Sequence, residues 1–406
     1  MSIQNTLSNW DELLETARKN TSARRVRRPG QSPSTAPIPS SLHKLPPDTA
    51  PPVLIYRDTN SWCPFCERVW FALEEKEIPF ETEFIDLSNK PKWYTDLVPT
   101  TLVPAVKIEG DLVYESKDIL LALEERFKQH PLLPEDSEEN AIARQWIEDA
   151  ETSGFRDIAY KFLREPISDA NELANLQAAF EAKLDRLEET LGKYPGSFFL
   201  SAFSLVDIMY SAHLDRLAAN LPVYRGYHIK ENPRFPRLNA WLEAINQRPA
   251  YHRVRADSIT NNLLLRRRFG AQPIGNLSSL NLADSEAIEY RAEAAERLSD
   301  NREAAIADIL KNSGVQGLAV NGNITPVKEA IDLHLRLLAE YLINGDQIVL
   351  PWGRIGGKDN ANPTVAAVGA ITLAYLRNRI CAPRDMSAGA ATAFRAAVDK
   401  VLTSLY

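Results

Sequence analysis

Cys63-Pro64-Phe65-Cys66 is the segment of this chain best equipped for chemistry, because it follows the apolar run Val53-Leu54-Ile55-Tyr56 and precedes a helix-patterned stretch. That order predicts a cysteine where a helix begins. Unpaired backbone N–H groups and the positive end of the helix dipole favour thiolate over thiol there and lower the cysteine pKa. Cys63 is the expected nucleophile. Pro64 suits the first helical position, where its missing N–H costs nothing, and Phe65, Val69, Ala72 and Leu73 fall on one apolar face.

A Cys-x-x-Cys pair can also bind zinc or fill a core. Structural zinc needs four ligands, and only Cys381 and six scattered histidines (His43, His130, His213, His228, His252, His334) remain to supply the other two. No metal is expected. Two packed thiols are the plain alternative, but a proline between them and a strand before them is the setting of redox or thiol-transfer chemistry.

From Val53 onward the apolar pattern predicts strand 53–57, helix 64–76, strand 80–86, a short helix near 90–97, strand 104–108, a turn at Glu109-Gly110-Asp111, strand 111–114 and helix 116–128. This is a thioredoxin-like order. In Leu102-Val103-Pro104-Ala105-Val106 the proline opens a strand, where a cis bond in a turn offers the Val103 backbone to a ligand; ordinary strand geometry is the alternative. Residues 138–250 are helical in pattern, with Trp146, Phe155, Tyr160 and Phe162 as early bulky residues. Ser204 and Asp207 have capping-box spacing, which assigns Asp207 to folding rather than chemistry.

The ordered set Cys63-Pro-Phe-Cys-Glu-Arg, Asn89-Lys90-Pro91-Lys92-Trp93, Leu102-Val103-Pro104 and Tyr114-Glu115-Ser116 resembles the omega-type and dehydroascorbate-reductase-type cysteine glutathione transferases over about residues 53–250. The resemblance implies an α+β chain: a thioredoxin-like domain at 53–130 that binds glutathione, an all-α transferase domain at 138–252, and a second substrate in the cleft between them. It further implies that Cys63 is the catalytic cysteine, forming a mixed disulfide with glutathione beside Phe65. Lys90 would contact the glycyl carboxylate. The Val103 backbone, ahead of Pro104, would pair with the cysteinyl part. Glu115 and Ser116 would hold the γ-glutamyl end, an anion for the α-ammonium and a helix N-terminus for the α-carboxylate; a plain helix cap is the alternative. Trp146, Phe155, Arg156 and Tyr160 are candidates for the second-substrate cleft by position alone.

Cys66 departs from the many relatives with Ser or Ala there. A monothiol route releases the Cys63 disulfide with a second glutathione, whereas a dithiol route uses Cys66; the monothiol route is favoured because it needs nothing more than glutathione. Reduction of glutathione mixed disulfides, dehydroascorbate or similar small oxidants ranks first. Conjugation of electrophiles ranks second among enzymatic readings, since a cysteine at that place is consumed as a disulfide. A redox-regulated adaptor on the same fold is the non-enzymatic alternative, because fold alone does not decide function.

Around this core the chain is less explicit. Residues 6–19 form an amphipathic helix through Leu7, Trp10, Leu14 and Ala17, expected to dock back on the protein. Residues 20–52, rich in Pro, Ser and Thr and carrying Arg24, Arg25, Arg27 and Arg28, read as a disordered linker within an N-terminal region 1–52. Residues 253–406 resemble no recognised family. After Leu265-Arg266-Arg267-Arg268 come a helix that Thr325 caps and Pro326 starts and two more that begin at Asn362-Pro363 and Ser387, which together suggest an extra helical bundle. Cys381 reads as a packed thiol. The stretch 350–359 is superficially a phosphate loop but has Trp352 at the first glycine position and Asp359 where Ser or Thr is needed.

With 406 residues, a net charge of −7 and a pI near 5.6, the chain is expected to form several domains without general affinity for nucleic acid or anionic membranes. Three cysteines provide no disulfide framework, and the longest apolar stretch, 365–376, is too short to span a bilayer. With acids at Asp11, Glu12 and Glu15 and no apolar leader, a reducing cytoplasmic compartment is expected. A homodimer and a protein partner through 1–52 or 253–406 are both compatible with this organisation.

Overall fold

The computed structural model describes residues 7–20, 45–46, 49–274, 287–347 and 363–405; the arginine cluster at 24–28 and the segment 350–359 lie outside the described residues. The chain divides into two compact units, Ile38–Leu280 and the combination of Met1–Pro37 with Asn281–Tyr406.

The first unit opens with the predicted order: β1 (Val53–Asp58), α2 (Pro64–Glu75), β2 (Phe80–Ile85), α3 (Lys92–Leu97), β3 (Ala105–Ile108), β4 (Asp111–Tyr114) and α4 (Ser116–Arg126). The four strands form one sheet in the order β2-β1-β3-β4. β1 runs parallel to β2, pairing Val53 with Phe80, and antiparallel to β3, pairing Ile55 with Val106; β3 and β4 join as a hairpin through Ile108 and Asp111. Strand side chains alternate between faces, and both faces here are covered. Val53, Ile55, Val106 and Ile108 join α2 and α4 residues in the main core, while Tyr56, Ile85, Tyr94 and Val98 form a small cluster on the α3 side.

The helical part of this unit comprises α5 (Ser137–Thr152), α6 (Phe155–Arg164), α7 (Ala170–Thr190), α8 (Leu205–Arg225), α9 (Pro236–Asn246), α10 (Pro249–Val254) and α11 (Ser258–Phe269). Its central element is α8, which contacts α2, α5, α6, α9 and α11. The predicted capping box is present: Ser204 Oγ accepts from Val206 N, and Asp207 accepts from Ser204 N at 2.8 Å. Asp207 also accepts from Trp241 Nε1 at 2.8 Å and Phe199 N at 3.2 Å, so a carboxylate whose pKa burial raises to about 6 ties three segments together. α11 packs on α8 within this same unit, continuing the helical layer past residue 252.

The second unit joins α1 (Trp10–Lys19) to α12 (Ile288–Asp300), α13 (Arg302–Asn312), α14 (Thr325–Asn344), α15 (Pro363–Arg379) and α16 (Ala388–Leu405). Leu13 and Ala17 enter its core, and Trp10 Nε1 donates to Asp332 Oδ1 at 2.7 Å. Close helix approach depends on two glycines: a Cβ on Gly369 would sit 2.0 Å from His334 Nε2, and one on Gly389 would sit 2.5 Å from the Tyr290 ring. The α14 cap differs from expectation. Ile324, not Thr325, is the N-cap, while Asn323 Oδ1 accepts from Thr325 N at 3.1 Å. Cys381 is buried just beyond α15, as the sequence suggested. Among the described residues no helix is long and apolar enough to cross a membrane.

Candidate active site

Cys63 is the N-cap of α2, half-buried, with Pro64 at the first helical position. The loop that delivers it from β1 is closed by Asp58, whose two carboxylate oxygens accept from Trp62 N at 2.9 Å and Cys63 N at 3.2 Å. Beneath the loop, the buried Arg57 guanidinium lies 3.9 Å from the Trp70 ring centre and donates to Ser61 Oγ at 2.6 Å. The second thiol, Cys66, is 2 % exposed. A hydrogen bond from the Cys66 thiol, aided by the Cys66 and Phe65 amides, holds Cys63 below the usual cysteine pKa against the opposing effects of burial and Asp58. Burial and the same hydrogen bond push Cys66 well up. The two thiols are therefore unequal, one inclined to ionise and the other to donate.

The groups expected to hold a tripeptide lie on the loops and helix starts of the same domain. Cys63 Sγ lies 4.0 Å from the Val103 carbonyl oxygen, and the Val103–Pro104 peptide is cis. Sheet pairing begins only at Ala105 with Tyr114, so the Val103 backbone lies outside the ladder. Glu115 has φ +67°, a left-handed conformation that strains a residue with a Cβ, and its exposed carboxylate makes no capping bond to α4. Ser116, at the first turn of α4, is buried with Oγ 3.5 Å from Arg68 Nη1. Lys90 Nζ donates to the Thr101 carbonyl at 2.8 Å. Phe65 stands edge-on to His213, with ring centroids 5.5 Å apart, and has the Arg68 and Arg156 guanidinium carbons each 5.3 Å from its centroid.

The four cleft candidates separate into two pairs. Arg156 and Tyr160 belong with Phe65: Arg156 as above, and Tyr160 through a 3.1 Å contact between its hydroxyl and His213 Nδ1. Trp146 and Phe155 pack instead around Tyr210, with Trp146 also against Phe199, in the interior of the helical layer. The structure does not bring these two beside Phe65.

Several residues around Cys63 escaped the sequence reading. Arg68 is buried and donates from Nε to the Met209 carbonyl on α8 at 3.0 Å and from Nη1 to Glu151 on α5 at 2.5 Å. Arg216 on α8 donates to the Trp62 carbonyl at 2.6 and 3.1 Å and forms an ion pair with Glu67 at 2.7 Å, both side chains being 2 % exposed. Burial raises Glu67 to about 7 despite Arg216 beside it. His213 is held neutral, its pKa pushed well below the imidazole range by burial and by Arg68, Arg216 and Arg156. Asn261 on α11 accepts from Trp62 Nε1 at 2.8 Å. Apolar periodicity assigns charged residues to solvent, so Glu67 and Arg68 inside an apolar helix carried the only available signal. Among the described residues no three metal-ligating side chains gather at one point.

Residues 62–126 match the model of the glutathione S-transferase N-terminal domain, and residues 170–244 match that of its C-terminal domain. Over 216 residues the chain is 30 % identical to glutathione S-transferase L1 of Arabidopsis thaliana, a match covering 51 % of this chain and 86 % of that protein. The chain belongs to the glutathione S-transferase family. Protein IN2-1 homolog A of Oryza sativa subsp. japonica is 33 % identical over 202 residues, 49 % of this transferase and 79 % of that protein. Glutathione S-transferase DHAR2 of Arabidopsis thaliana is 28 % identical over 195 residues, 48 % and 84 % respectively. The two family models leave α11 of this transferase beyond their last matched residue, 244.

Proposed function

We propose that this transferase is a glutathione-dependent thiol transferase and reductase in which Cys63 forms a mixed disulfide with glutathione. Its substrates on this reading are glutathione mixed disulfides, dehydroascorbate or similar small oxidants. The observation that carries the proposal is the setting of residue 63: a half-buried cysteine caps a helix N-terminus, has its pKa lowered chiefly by the neighbouring Cys66 thiol, and lies 4.0 Å from the Val103 carbonyl. A thiolate in that position attacks disulfide sulfur.

Glutathione has a candidate partner at each end. Val103 offers backbone outside the sheet ladder to the cysteinyl part, Glu115 an exposed carboxylate to the α-ammonium, Ser116 and the α4 N-terminus a seat for the α-carboxylate, and Lys90 a cation for the glycyl end. The strained φ of Glu115 supports this assignment, since strain of this kind persists where the surroundings use it.

Cys66 serves on this reading as a donor to Cys63 rather than as a resolving thiol. Its burial and raised pKa leave little thiolate to attack a disulfide, and a second glutathione resolves the intermediate. In domain terms, residues 53–130 bind glutathione, residues 138–252 supply the opposite wall, and the extension 253–406 begins with α11, which reaches the Cys63 loop through Asn261.

The test is glutathione-dependent turnover of a glutathione mixed disulfide and of dehydroascorbate by the native chain and by Cys63→Ser. Loss of both activities with Cys63 supports the proposal, and their persistence overturns it.

A further inference from the structure

The side chains around Cys63 form a circuit of ring contacts. The Trp62 ring centroid lies 6.3 Å from that of Phe269 on α11. The Arg164 guanidinium carbon stands 4.5 Å from the Phe269 centroid and 5.0 Å from that of Tyr160. Tyr160 meets His213 at 5.7 Å, and His213 meets Phe65 at 5.5 Å. The circuit starts at the residue before the nucleophile and returns two residues after it.

Charge in this circuit is one-sided. Arg156 is paired with Glu151 at 3.2 Å and Arg216 with Glu67, while His213 is neutral. Arg164 has no carboxylate within ion-pair distance among the described residues, and it is exposed between two aromatic faces. Phe269 beside it is 44 % exposed, so one face of its ring is open to a ligand. Trp62, by contrast, is fixed: Asn261 holds its indole N–H, and Asp58 and Arg216 hold its backbone. A ring wall that begins at the residue before the cysteine, with the Arg164 guanidinium at its rim and that of Arg268 6.0 Å from the Phe269 centroid, is complementary to a flat ligand carrying a negative charge.

We propose, building on the reading of Cys63 as nucleophile, that this circuit receives the leaving half of a glutathione mixed disulfide when that half is an aromatic acid. The ligand ring stacks on the exposed face of Phe269 beside Trp62, and its carboxylate pairs with Arg164. The Cys63 thiolate attacks the glutathione sulfur, the sulfur–sulfur bond breaks, and its electron pair leaves with the aryl thiolate. The thiolate of a second glutathione then attacks the glutathione sulfur of the Cys63 mixed disulfide. Glutathione disulfide departs and Cys63 returns as thiolate, so glutathione is the only reductant required. Arg164 on α6 and Phe269 on α11 both lie outside the residues that the family models match, 62–126 and 170–244.

The test compares three mixed disulfides of glutathione, formed with 5-thio-2-nitrobenzoate, 4-nitrothiophenol and 2-mercaptoethanol, on the full chain and on Arg164→Gln and Phe269→Ala. The carboxylated aryl substrate is expected to exceed the neutral aryl substrate by about tenfold in kcat/KM, the scale of a charge-assisted hydrogen bond. Arg164→Gln is expected to bring that ratio close to one, and Phe269→Ala to lower both aryl substrates relative to the mercaptoethanol one. A native ratio near one, or a ratio that Arg164→Gln leaves in place, while the mercaptoethanol substrate turns over, overturns the aromatic-acid site alone. Failure to turn over any of the three overturns the role of Cys63 and the site with it.

Discussion

Arg216 holds the carbonyl of Trp62, the residue immediately before Cys63, at 2.6 and 3.1 Å while pairing with Glu67 in the first turn of α2. A single buried guanidinium thus fixes both the loop that presents Cys63 and the helix that Cys63 caps. Removing one member of a buried pair leaves an uncompensated charge, at a cost of about 3–5 kcal/mol. Arg216→Gln is expected to lower unfolding free energy in urea by that order, and Arg216→Lys, which keeps charge but not the forked geometry, by less. Equal stability of all three proteins would remove the pair from the account.

Cys66 is assigned the role of donor, which separates two substitutions. Cys66→Ser keeps a hydroxyl able to donate to Cys63, whereas Cys66→Ala removes it. The pH midpoint of Cys63 alkylation by iodoacetamide should lie below that of a free thiol in the native chain. It should change little in Cys66→Ser and rise in Cys66→Ala. Loss of turnover in Cys66→Ser with intact Cys63 glutathionylation would instead make Cys66 the resolving thiol.

Two buried imidazoles set an acid limit on stability. His213 and His334 both have folded pKa values below the ordinary 6.5, mainly through burial, so below that pH the unfolded chain takes up protons that the folded chain refuses. Stability therefore falls as pH drops below about 6.5, by up to about 1.4 kcal/mol per pH unit for each group. His334→Gln should flatten this slope between pH 6.5 and 5 by one group's share, as measured by urea unfolding at each pH. An unchanged slope would mean that His334 is protonated in the folded state.

α1 is a structural helix of the second unit. Trp10 bonds Asp332, Ser8 N donates to Glu340 Oε1 at 2.5 Å, and Leu13 is buried with Ala17 against α12 and α14. Leu13→Ala is expected to cost about 2–5 kcal/mol. Hydrogen exchange should register it as lost amide protection in α12 and α14 with α2 unaffected. Equal loss in α2, or none in α14, would contradict the assignment of α1 to this bundle.

Local signals made the first sheet legible. Alternating apolar strands, Pro64 after Cys63 and the turn at Gly110 placed β1 to β4, α2 and α4 within about two residues, because each feature acts through neighbours in sequence. The Ser204–Asp207 cap was equally readable for the same reason. The arrangement around Cys63 was not. Arg216 meets Trp62 across 154 residues, and Asn261 does so across 199. Charged side chains bury themselves only against partners brought by the fold, so periodicity assigns them to the surface. Trp146 and Phe155 illustrate the converse, since bulky residues early in a helical domain fill its interior as readily as they line a cleft.

The central claim is that Cys63 carries glutathione as a mixed disulfide. Intact-mass analysis after exposure to glutathione disulfide tests it directly, with peptide mapping of the modified site and reversal by reduced glutathione. The account predicts a single glutathionyl group on Cys63, absent in Cys63→Ser and removed by reduced glutathione. A protein that stays unmodified at Cys63, or that is modified only at Cys381, would contradict it.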